Sequence, residues 1–234
     1  MPASPGHSVR KSPNIWDNPA TYEIENQAFD RAGLIVAAMR RTADWTDRAV
    51  LDIGCGTGFH LPLFAQDAAT VTGLEPHAPL AAIARRRVRR LPQVWVIEAP
   101  ASDVPLSGST VDVAHARWAY FFGPGCEPGL AQLDRVMRSG GTAFVIDNDP
   151  TTSTFGSWFH RGFPEVDPDA VEAFWTAQGW EREQITTTWT FDSRDDFEAV
   201  VRIELPTTVA EEVLAEHPDA TEVDYAVNLW WRRY

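Results

Sequence analysis

Apolar residues in the first two thirds of the chain fall into short runs separated by segments with helical spacing. Five runs rich in Val, Ile, Leu, Ala and Phe are typical of strands covered on both faces: 50–53, 70–74, 94–97, 111–115 and 142–146. Helices are predicted at 60–65, from Ala78 to an arginine-rich end at Arg90, and at 130–137. Strands that alternate with helices in this way predict an α/β domain built on a parallel sheet.

The last third of the chain continues the mixed pattern without an internal repeat. Helices are predicted at 170–178, 194–203 and 209–216, and strands at 185–191 and 223–231. Aromatic residues between Ser157 and Pro164 lie in a loop-like stretch, and the sequence leaves two roles open for them, a substrate wall or ordinary packing. No second domain is predicted, because 234 residues suit one well-buried α/β domain and are few for two.

The N-terminal segment divides into a tail and a helical part. Residues 1–13 are rich in Pro, Ser and basic residues and predict a flexible tail. From Ile15 to Arg41, apolar residues recur at helical intervals. The predicted domain therefore covers 14–234, with N-terminal helices at 14–44, a core at 45–150, and a substrate side with closing strands at 151–234.

Composition excludes several classes of partner. The formal net charge of −13 argues against binding to nucleic acid or to anionic lipid, because phosphate groups are held by clustered Lys and Arg. Cys55 and Cys126 form neither a disulfide framework nor a metal-ligand spacing, which favours a reducing, cytoplasmic setting. No apolar run approaches the ~20 residues of a membrane span, and no signal peptide is recognised.

The candidate chemistry starts at the end of the first predicted strand, in the stretch Val50–Phe59. Asp52 is followed by Gly54, Gly56 and Gly58, which allow positive φ and the close approach of a ligand. The helix that follows places backbone amides at its N-terminus, where an anionic group is favoured. A dinucleotide fingerprint would need a glycine at the position of Phe59, so the loop predicts a nucleotide cofactor of another type.

Asp52, Gly54, Gly56 and Gly58 match the pattern D/E-x-G-x-G-x-G, which resembles motif I of the class I S-adenosylmethionine (SAM) methyltransferases. The resemblance covers roughly residues 45–150. It implies SAM as cofactor, with Glu75 as the acceptor of both ribose hydroxyls and with the following cofactor-binding residues: Asp52, Gly54, Cys55, Gly56, Gly58, Glu75, Pro76, Ala101, Ser102 and His115. The chain departs from the family at Pro100, which stands where an aspartate usually contacts adenine, so that contact falls to Ala101, Ser102 or Asp103.

The resemblance also implies a fold and a lid. Class I enzymes have a seven-stranded Rossmann-like sheet, mostly parallel with an antiparallel last strand, and helices on both faces. Their N-terminal helices lie over the cofactor, so Trp16, Tyr22 and Glu23 are candidates for a lid, with Tyr22 touching the cofactor. The alternative is that these helices only cover an edge of the sheet.

Catalytic candidates follow the fourth predicted strand. Ligands of open α/β sheets bind at the carboxyl ends of the strands, so His115, Arg117 and Tyr120 should face the place where methyl donor and acceptor meet. Histidine is the side chain whose ordinary pKa best suits a general base near neutral pH. The alternative for His115 is a structural histidine satisfied by hydrogen bonds.

The resulting hypothesis is a SAM-dependent methyltransferase that acts on an oxygen, nitrogen or carbon atom of a small molecule. One alternative is a metal-assisted, catechol-type O-methyltransferase, because Asp147-Asn148 resembles its metal pair, although His115 stands where those enzymes have an aspartate. Another is a SAM-binding protein that transfers no methyl group. The strand-four exit, residues 115–118, lacks the N/D-P-P-Y/F signature of nucleobase methylation. The acceptor, the use of a base and the oligomeric state stay open.

Overall fold

The computed structural model describes residues 9–120 and 123–234, which form one seven-stranded sheet in the order β3-β2-β1-β4-β5-β7-β6. The strands are β1 (Ala49–Ile53), β2 (Thr70–Leu74), β3 (Val94–Ile97), β4 (Val111–Arg117), β5 (Met137–Asn148), β6 (Glu181–Thr190) and β7 (Glu222–Arg233). The first five strands pair in parallel, whereas β7 runs antiparallel to both β5 and β6. The predicted fold class is confirmed.

Ten helices lie around the sheet in the described part of the chain. They are α1 (Pro13–Asp17), α2 (Pro19–Ala28), α3 (Leu34–Thr42), α4 (Leu61–Phe64), α5 (Ala78–Val88), α6 (Glu127–Val136), α7 (Thr154–Gly162), α8 (Pro168–Ala177), α9 (Arg194–Glu204) and α10 (Thr207–Glu216). Within residues 9–120 and 123–234, no helix has the length and apolar character needed to cross a membrane.

Two apolar cores, one on each face of the sheet, explain why the strand sequences are almost continuously apolar. Along β1, Val50 joins the core that contains α3, α7, α9 and α10, whereas Leu51 and Ile53 join the core that contains α6 and α8. The same alternation places Phe144 in the first core and Val145 in the second. Side chains of successive strand residues point to opposite faces, so a sheet covered on both sides needs apolar residues at nearly every position.

The start of β5 differs from the prediction. The helix predicted at 130–137 ends at Val136, and the strand predicted to begin at Thr142 begins at Met137. Val111 pairs with Met137, but Val113 pairs with Thr142, so the register shifts across this segment. Gly140 has φ +84, which provides the irregular backbone that accommodates the extra residues.

The aromatic stretch predicted as a loop at 157–164 is largely helical, so that prediction was wrong. Ser153 precedes α7 and caps it, because its hydroxyl accepts a hydrogen bond from the Gly156 amide. Phe155, Trp158 and Phe159 are buried on its inner face, and the Phe155 ring stacks on Tyr225 with centroids 4.0 Å apart. These aromatic residues serve packing, which was one of the two roles left open.

The N-terminal part of the described chain forms three short helices. Pro13 and Pro19 start α1 and α2, where a missing backbone donor costs little. Asp30, with φ +52, and Gly33 then turn the chain into α3. Residues 1–8 of the predicted tail lie outside the described residues. Helices α1 and α2 lie above the carboxyl ends of β1 and β2, where the candidate site is found.

Candidate active site

A cavity of about 350 Å³ lies at the carboxyl ends of β1, β2 and β4 and is covered by α1 and α2. It collects nearly all of the residues that the sequence singled out. The predicted residues on its wall are Tyr22, Asp52, Gly54, Cys55, Gly56, Glu75, Pro76, Ala101, Ser102, His115, Arg117 and Tyr120. Gly58 is the exception, since it does not line the cavity.

The glycine loop forms the floor of the cavity with bare backbone. Gly54 has φ +69, and a Cβ added there would lie 2.7 Å from the Cβ of Ala119. Gly56 has φ +56, and its added Cβ would lie 2.8 Å from Cδ1 of Ile15 on α1. Any larger side chain at these two positions would displace a neighbour. The positive φ of both residues and the close approach of Ala119 and Ile15 therefore require glycine at these two positions.

Gly58 has a packing role. A Cβ added to this residue, whose φ is +77, would lie 3.0 Å from the Cβ and 3.1 Å from the Cα of Ala84 in α5. The last glycine of the motif thus allows α5 to pack closely against the loop. This position belongs to the scaffold of the cavity and has no direct place on its wall.

The Glu75 carboxylate is held rigidly at the end of β2. It accepts hydrogen bonds from the Gly56 amide at 2.9 Å and from the His77 amide at 2.8 Å, and the residue is only 4% exposed. Burial raises the pKa of this carboxyl, although the two amides act in the opposite direction. Each oxygen keeps acceptor capacity for a further donor, as two adjacent hydroxyl groups would require.

Asp52 and His115 form a buried pair between β1 and β4. Nδ1 of His115 lies 2.7 Å from Oδ1 of Asp52, and the two residues are register neighbours in the parallel ladder. Because an ionised carboxylate can only accept, Nδ1 donates, and Nε2 of the neutral ring is left without a proton. The His115 ring is also flanked by Phe64, at a centroid distance of 5.2 Å. The arrangement fixes both the tautomer and the orientation of the imidazole.

His60 is a site residue that the sequence reasoning missed. It precedes α4, lines the cavity, and accepts a hydrogen bond at Nε2 from Nη1 of Arg117 at 2.9 Å. Burial and then the nearby Arg117 charge hold the pKa of His60 well below its usual range, so this ring is neutral. Its centroid lies 5.4 Å from that of His115. Only tertiary pairing identifies it, because 57 positions separate it from Arg117.

Arg117 carries its guanidinium between two aromatic rings. Its Cζ lies 4.4 Å from the Phe29 ring centroid and 4.1 Å from the Trp118 centroid, distances at which cation–π attraction operates. Nε and Nη2 are buried and have no hydrogen-bond partner among the described residues. Burial lowers the pKa of Arg117, but an arginine remains charged at neutral pH.

The N-terminal helices lie directly over the glycine loop. Trp16 stacks on His77 with centroids 4.2 Å apart and lines the cavity together with Tyr22. Glu23 points elsewhere: its carboxylate accepts from the Thr57 hydroxyl at 3.0 Å and pairs with Arg87. This contact joins α2 to both the loop and α5. The arrangement has the geometry of a lid, and closure on ligand binding stays a prediction.

Other parts of the wall were not singled out by the sequence. Val9, Arg10 and Ser12, which lie in the predicted tail, reach the cavity, so the segment just before α1 is part of the site. Further residues on the wall are Asn26, Trp118, Pro124, Gly125, Cys126, Pro128 and Gly129. The Gly/Pro-rich composition after β4 was the available signal for the last five of these.

The segment predicted to contact adenine and the residue Tyr120 form two further parts of the cavity wall. Pro100, Ala101 and Ser102 line the cavity, whereas Asp103 does not. Tyr120 is 6% exposed and its hydroxyl has no partner among the described residues. Burial raises its pKa well above the usual range, so it stays protonated and can act only as a neutral hydrogen-bonding group.

Asp147 and Asn148, the pair that resembles metal ligands, do not line this cavity. The Asp147 carboxylate accepts from Nε1 of Trp230 and from Nδ2 of Asn228, both at 3.2 Å. Oδ1 of Asn148 accepts from the Tyr225 hydroxyl at 2.7 Å. Both side chains are engaged by β7, and the geometry gives no support to the metal-assisted alternative.

The strand order, the antiparallel β7, and the glycine loop followed by an acidic residue at the end of β2 define the class I SAM-methyltransferase fold. Residues 51–145 match the family model of the methyltransferase domain. This segment is similar to a methyltransferase domain, and the chain shares its fold with solved structures that include a SAM-dependent methyltransferase from Aquifex aeolicus.

Individual relatives are similar over part of their length. A cypemycin N-terminal methyltransferase from a Streptomyces species is 26% identical over 144 residues, which cover 59% of this chain and 58% of that protein. A dTDP-3-amino-3,6-dideoxy-alpha-D-glucopyranose N,N-dimethyltransferase from Streptomyces fradiae is 42% identical over 70 residues, 28% of each chain. The chain spans between 28% and 58% of the length of the curated relatives it matches. The crystal structure of YcgJ from Bacillus subtilis superposes with a TM-score of 0.62 at 15% identity, over 85% of this chain and 98% of that one.

Proposed function

We propose that this protein transfers a methyl group from SAM to an oxygen, nitrogen or carbon atom of a small molecule. The observation that carries the proposal is the convergence of three features on one cavity: the bare backbone of Gly54 and Gly56, the fixed carboxylate of Glu75, and the Asp52–His115 pair. The family supports the cofactor, and the cavity supports the roles of these residues.

The residues present fit this cofactor. Glu75 would accept the two ribose hydroxyls, the backbone of the glycine loop would lie against the aminoacyl part, and Ala101 and Ser102 would lie beside adenine. Gly54 and Gly56 line the cavity with backbone that no side chain of their own shields, which suits a ligand held against the loop. Bound SAM supplies a sulfonium methyl that is already activated.

The protein itself would then position the methyl donor and the acceptor and, where needed, remove a proton from the acceptor. Holding donor and acceptor in line accounts for several kcal/mol of the barrier in reactions of this kind. Where the acceptor must lose a proton, Nε2 of His115 is the basic nitrogen available in the neutral tautomer that Asp52 enforces. The Asp52 carboxylate then stabilises the imidazolium that forms.

Size and charge favour a small acceptor. A cavity of about 350 Å³ falls within the range of roughly 300–1,000 Å³ typical of small-molecule sites. The net charge of −13 opposes a polyanionic substrate such as nucleic acid. The relative from Streptomyces fradiae is named for a dTDP-linked amino sugar, which supports the same class of acceptor.

Calorimetry with S-adenosylhomocysteine (SAH), SAM and NAD tests the cofactor assignment. The expected result is that SAH and SAM bind and that NAD binds much more weakly. Glu75→Ala should cost on the order of 1.5–3 kcal/mol, or more than tenfold in SAH affinity, because two hydroxyls lose a charged acceptor. Glu98→Ala removes an exposed carboxylate just after β3 that does not line the cavity, and it should leave the affinity unchanged.

Two outcomes would contradict the proposal. Comparable affinity for NAD and SAH would contradict the cofactor, and unchanged SAH affinity in a folded Glu75→Ala protein would contradict the role of that residue. Transfer of a labelled methyl group from SAM to a pool of small acceptors separates an enzyme from a protein that only binds SAM.

A further inference from the structure

Arg117 brings an uncompensated positive charge to the cavity wall. Within residues 9–120 and 123–234, it forms no ion pair, although the other buried charged groups of the cavity have partners. Its one hydrogen bond goes to the neutral His60, which cannot balance the charge. A buried charge without a counterion is costly unless something else compensates it, and the flanking rings of Phe29 and Trp118 do so only in part.

Two acids, Glu25 and Asp30, act on Arg117 through space without forming an ion pair with it. Glu25 is 1% exposed on α2, and its Oε2 has no hydrogen-bond partner among the described residues. Burial and the neighbouring Glu204 raise the pKa of Glu25 well above its usual range, which disfavours its charged form. Glu204 in turn accepts from Asn14 at 2.7 Å. The Asp30 carboxylate accepts from the Leu34 and Ile35 amides and from the Thr187 hydroxyl. Neither acid therefore pairs with the guanidinium, whose Nε and Nη2 are left for another partner.

The free atoms of Arg117 have the right arrangement for one particular ligand group. Nη1 is used by His60, whereas Nε and Nη2 are the unpartnered atoms. These two donate in parallel from one side of the planar guanidinium, which matches the two oxygens of a carboxylate. The position of the guanidinium is fixed by its rings and by His60, so a carboxylate would find the donors already oriented.

Arg117 lies on the same part of the cavity wall as His115, the candidate base. His115 and Arg117 are two residues apart on β4, so their side chains leave the same face of the sheet. The His60 ring lies between them, in contact with both. Glu75, the candidate ribose acceptor, follows β2, which is separated from β4 by β1. The charge therefore lies beside the candidate base and two strands away from the candidate ribose acceptor.

We propose that Arg117 binds a carboxylate of the methyl acceptor and so selects for anionic small molecules. The proposal rests on the methyl-transfer function proposed above and specifies its substrate class. A carboxylate is also present in the aminoacyl part of the cofactor, and the experiment below distinguishes the two sources. Methyl transfer alone would also allow a neutral acceptor. Such an acceptor would leave Nε and Nη2 of Arg117 without a charged partner, which disfavours it.

Calorimetry on the full chain saturated with SAH provides the test. Phenylacetate and hexanoate are titrated against their uncharged amides, phenylacetamide and hexanamide. The expected result is at least a tenfold preference for each carboxylate. Arg117→Gln should abolish this preference and change SAH affinity by less than threefold. Arg117→Lys keeps the charge but loses the parallel donors, and it should retain only part of the preference. Arg31→Gln, on the surface, should behave as the wild type.

Each other outcome overturns the inference. If wild-type protein with bound SAH shows no preference for the carboxylates, the inference fails without reference to any variant. If Arg117→Gln lowers SAH affinity more than tenfold but leaves 5′-methylthioadenosine, which has no carboxylate, unaffected, then Arg117 serves the cofactor. If the preference survives in Arg117→Gln, another group binds the carboxylate. Failure of the wild type to bind SAH would remove the proposed function itself.

Discussion

The Asp52–His115 pair gives the cavity one basic nitrogen in a defined tautomer. If Nε2 of His115 takes a proton from the acceptor, His115→Asn should lower turnover by about 10²–10⁴-fold at neutral pH. SAH affinity should change by less than threefold, because the amide of asparagine can still donate to Asp52. Steady-state kinetics with calorimetry measure both quantities.

Two control experiments distinguish a histidine base from a metal-assisted mechanism. His160→Asn alters an exposed histidine on α7 and should have no effect. Activity is expected to survive EDTA, since Asp147 and Asn148 are engaged by β7 and lie off the cavity wall. Loss in EDTA with recovery on adding Mg²⁺ would favour the metal-assisted alternative, and full activity of His115→Asn would mean that placement alone suffices.

Alanine substitutions at Gly58 and Gly33 distinguish the energetic cost of backbone strain from that of close packing. Both have positive φ, +77 and +69, so alanine should cost about 1–2 kcal/mol at either position. At Gly33, no described atom lies within 4 Å of an added Cβ, and only that strain applies. At Gly58, the backbone of Ala84 lies 3.1 Å away, which should add roughly 1–3 kcal/mol. Urea unfolding of both variants gives the comparison, and equal losses would contradict the packing role.

Residues of the site were predictable where the signal is local in sequence. The acid and glycines between Asp52 and Gly58 lie within one turn, and Glu75 follows the next strand, so the motif places them without knowledge of tertiary contacts. The pairs Asp52–His115 and His60–Arg117 span 63 and 57 positions. They depend on the register of β1 against β4 and on the entry of α4, which the hydrophobic pattern leaves undetermined.

Among the elements, strands β1 to β4 were predicted closely, whereas the start of β5 and helix α7 were not. Buried parallel strands have uninterrupted apolar runs, whose ends are marked by polar or glycine residues. In α7, Phe155, Trp158 and Phe159 have the helical spacing i, i+3, i+4, but the segment also contains Gly156 and Gly162, which are unfavourable inside a helix. Tertiary packing decided the outcome: Gly156 lies so close to the Asp149 carbonyl that an added Cβ would be 2.5 Å from it.

Helices α1 and α2 are expected to become protected when the cofactor binds. They contact the loop through Ile15 near Gly56, through the Trp16–His77 stack, and through Glu23, Thr57 and Arg87. A ligand beneath them would add contacts to Trp16 and Tyr22 and slow their opening. Hydrogen exchange with and without SAH should show slower exchange at 13–28 and no change in α10, which is remote from the cavity. Equal exchange at 13–28 in both states would leave these helices as a cover of the sheet only.

Several of the acids that contribute to the net charge of −13 are buried in the folded molecule. Glu25, Glu75, Glu204 and Asp147 are all buried or hydrogen-bonded inside the fold, and burial raises the pKa of each. Each of these groups is easier to protonate in the folded chain than in the unfolded one. They should therefore make the folded state less stable at neutral pH than at mildly acidic pH, opposite to the effect of the surface acid Glu198, whose pKa its arginine neighbours lower.

Asp147 allows this effect to be measured at one residue. Burial raises its pKa to about 7, against roughly 3.9 in the unfolded chain. Its contribution to stability is thus complete below about pH 4 and is lost as the pH rises towards 7, at up to about 1.4 kcal/mol per pH unit. Asp147→Asn cannot ionise and should escape this loss, so the free energy of unfolding of the variant should rise relative to wild type between pH 4 and 7. Urea titrations across this range measure the difference, and Asp219→Asn, at an exposed turn, should parallel wild type. A constant difference between Asp147→Asn and wild type would show that the Asp147 carboxyl titrates normally inside the fold.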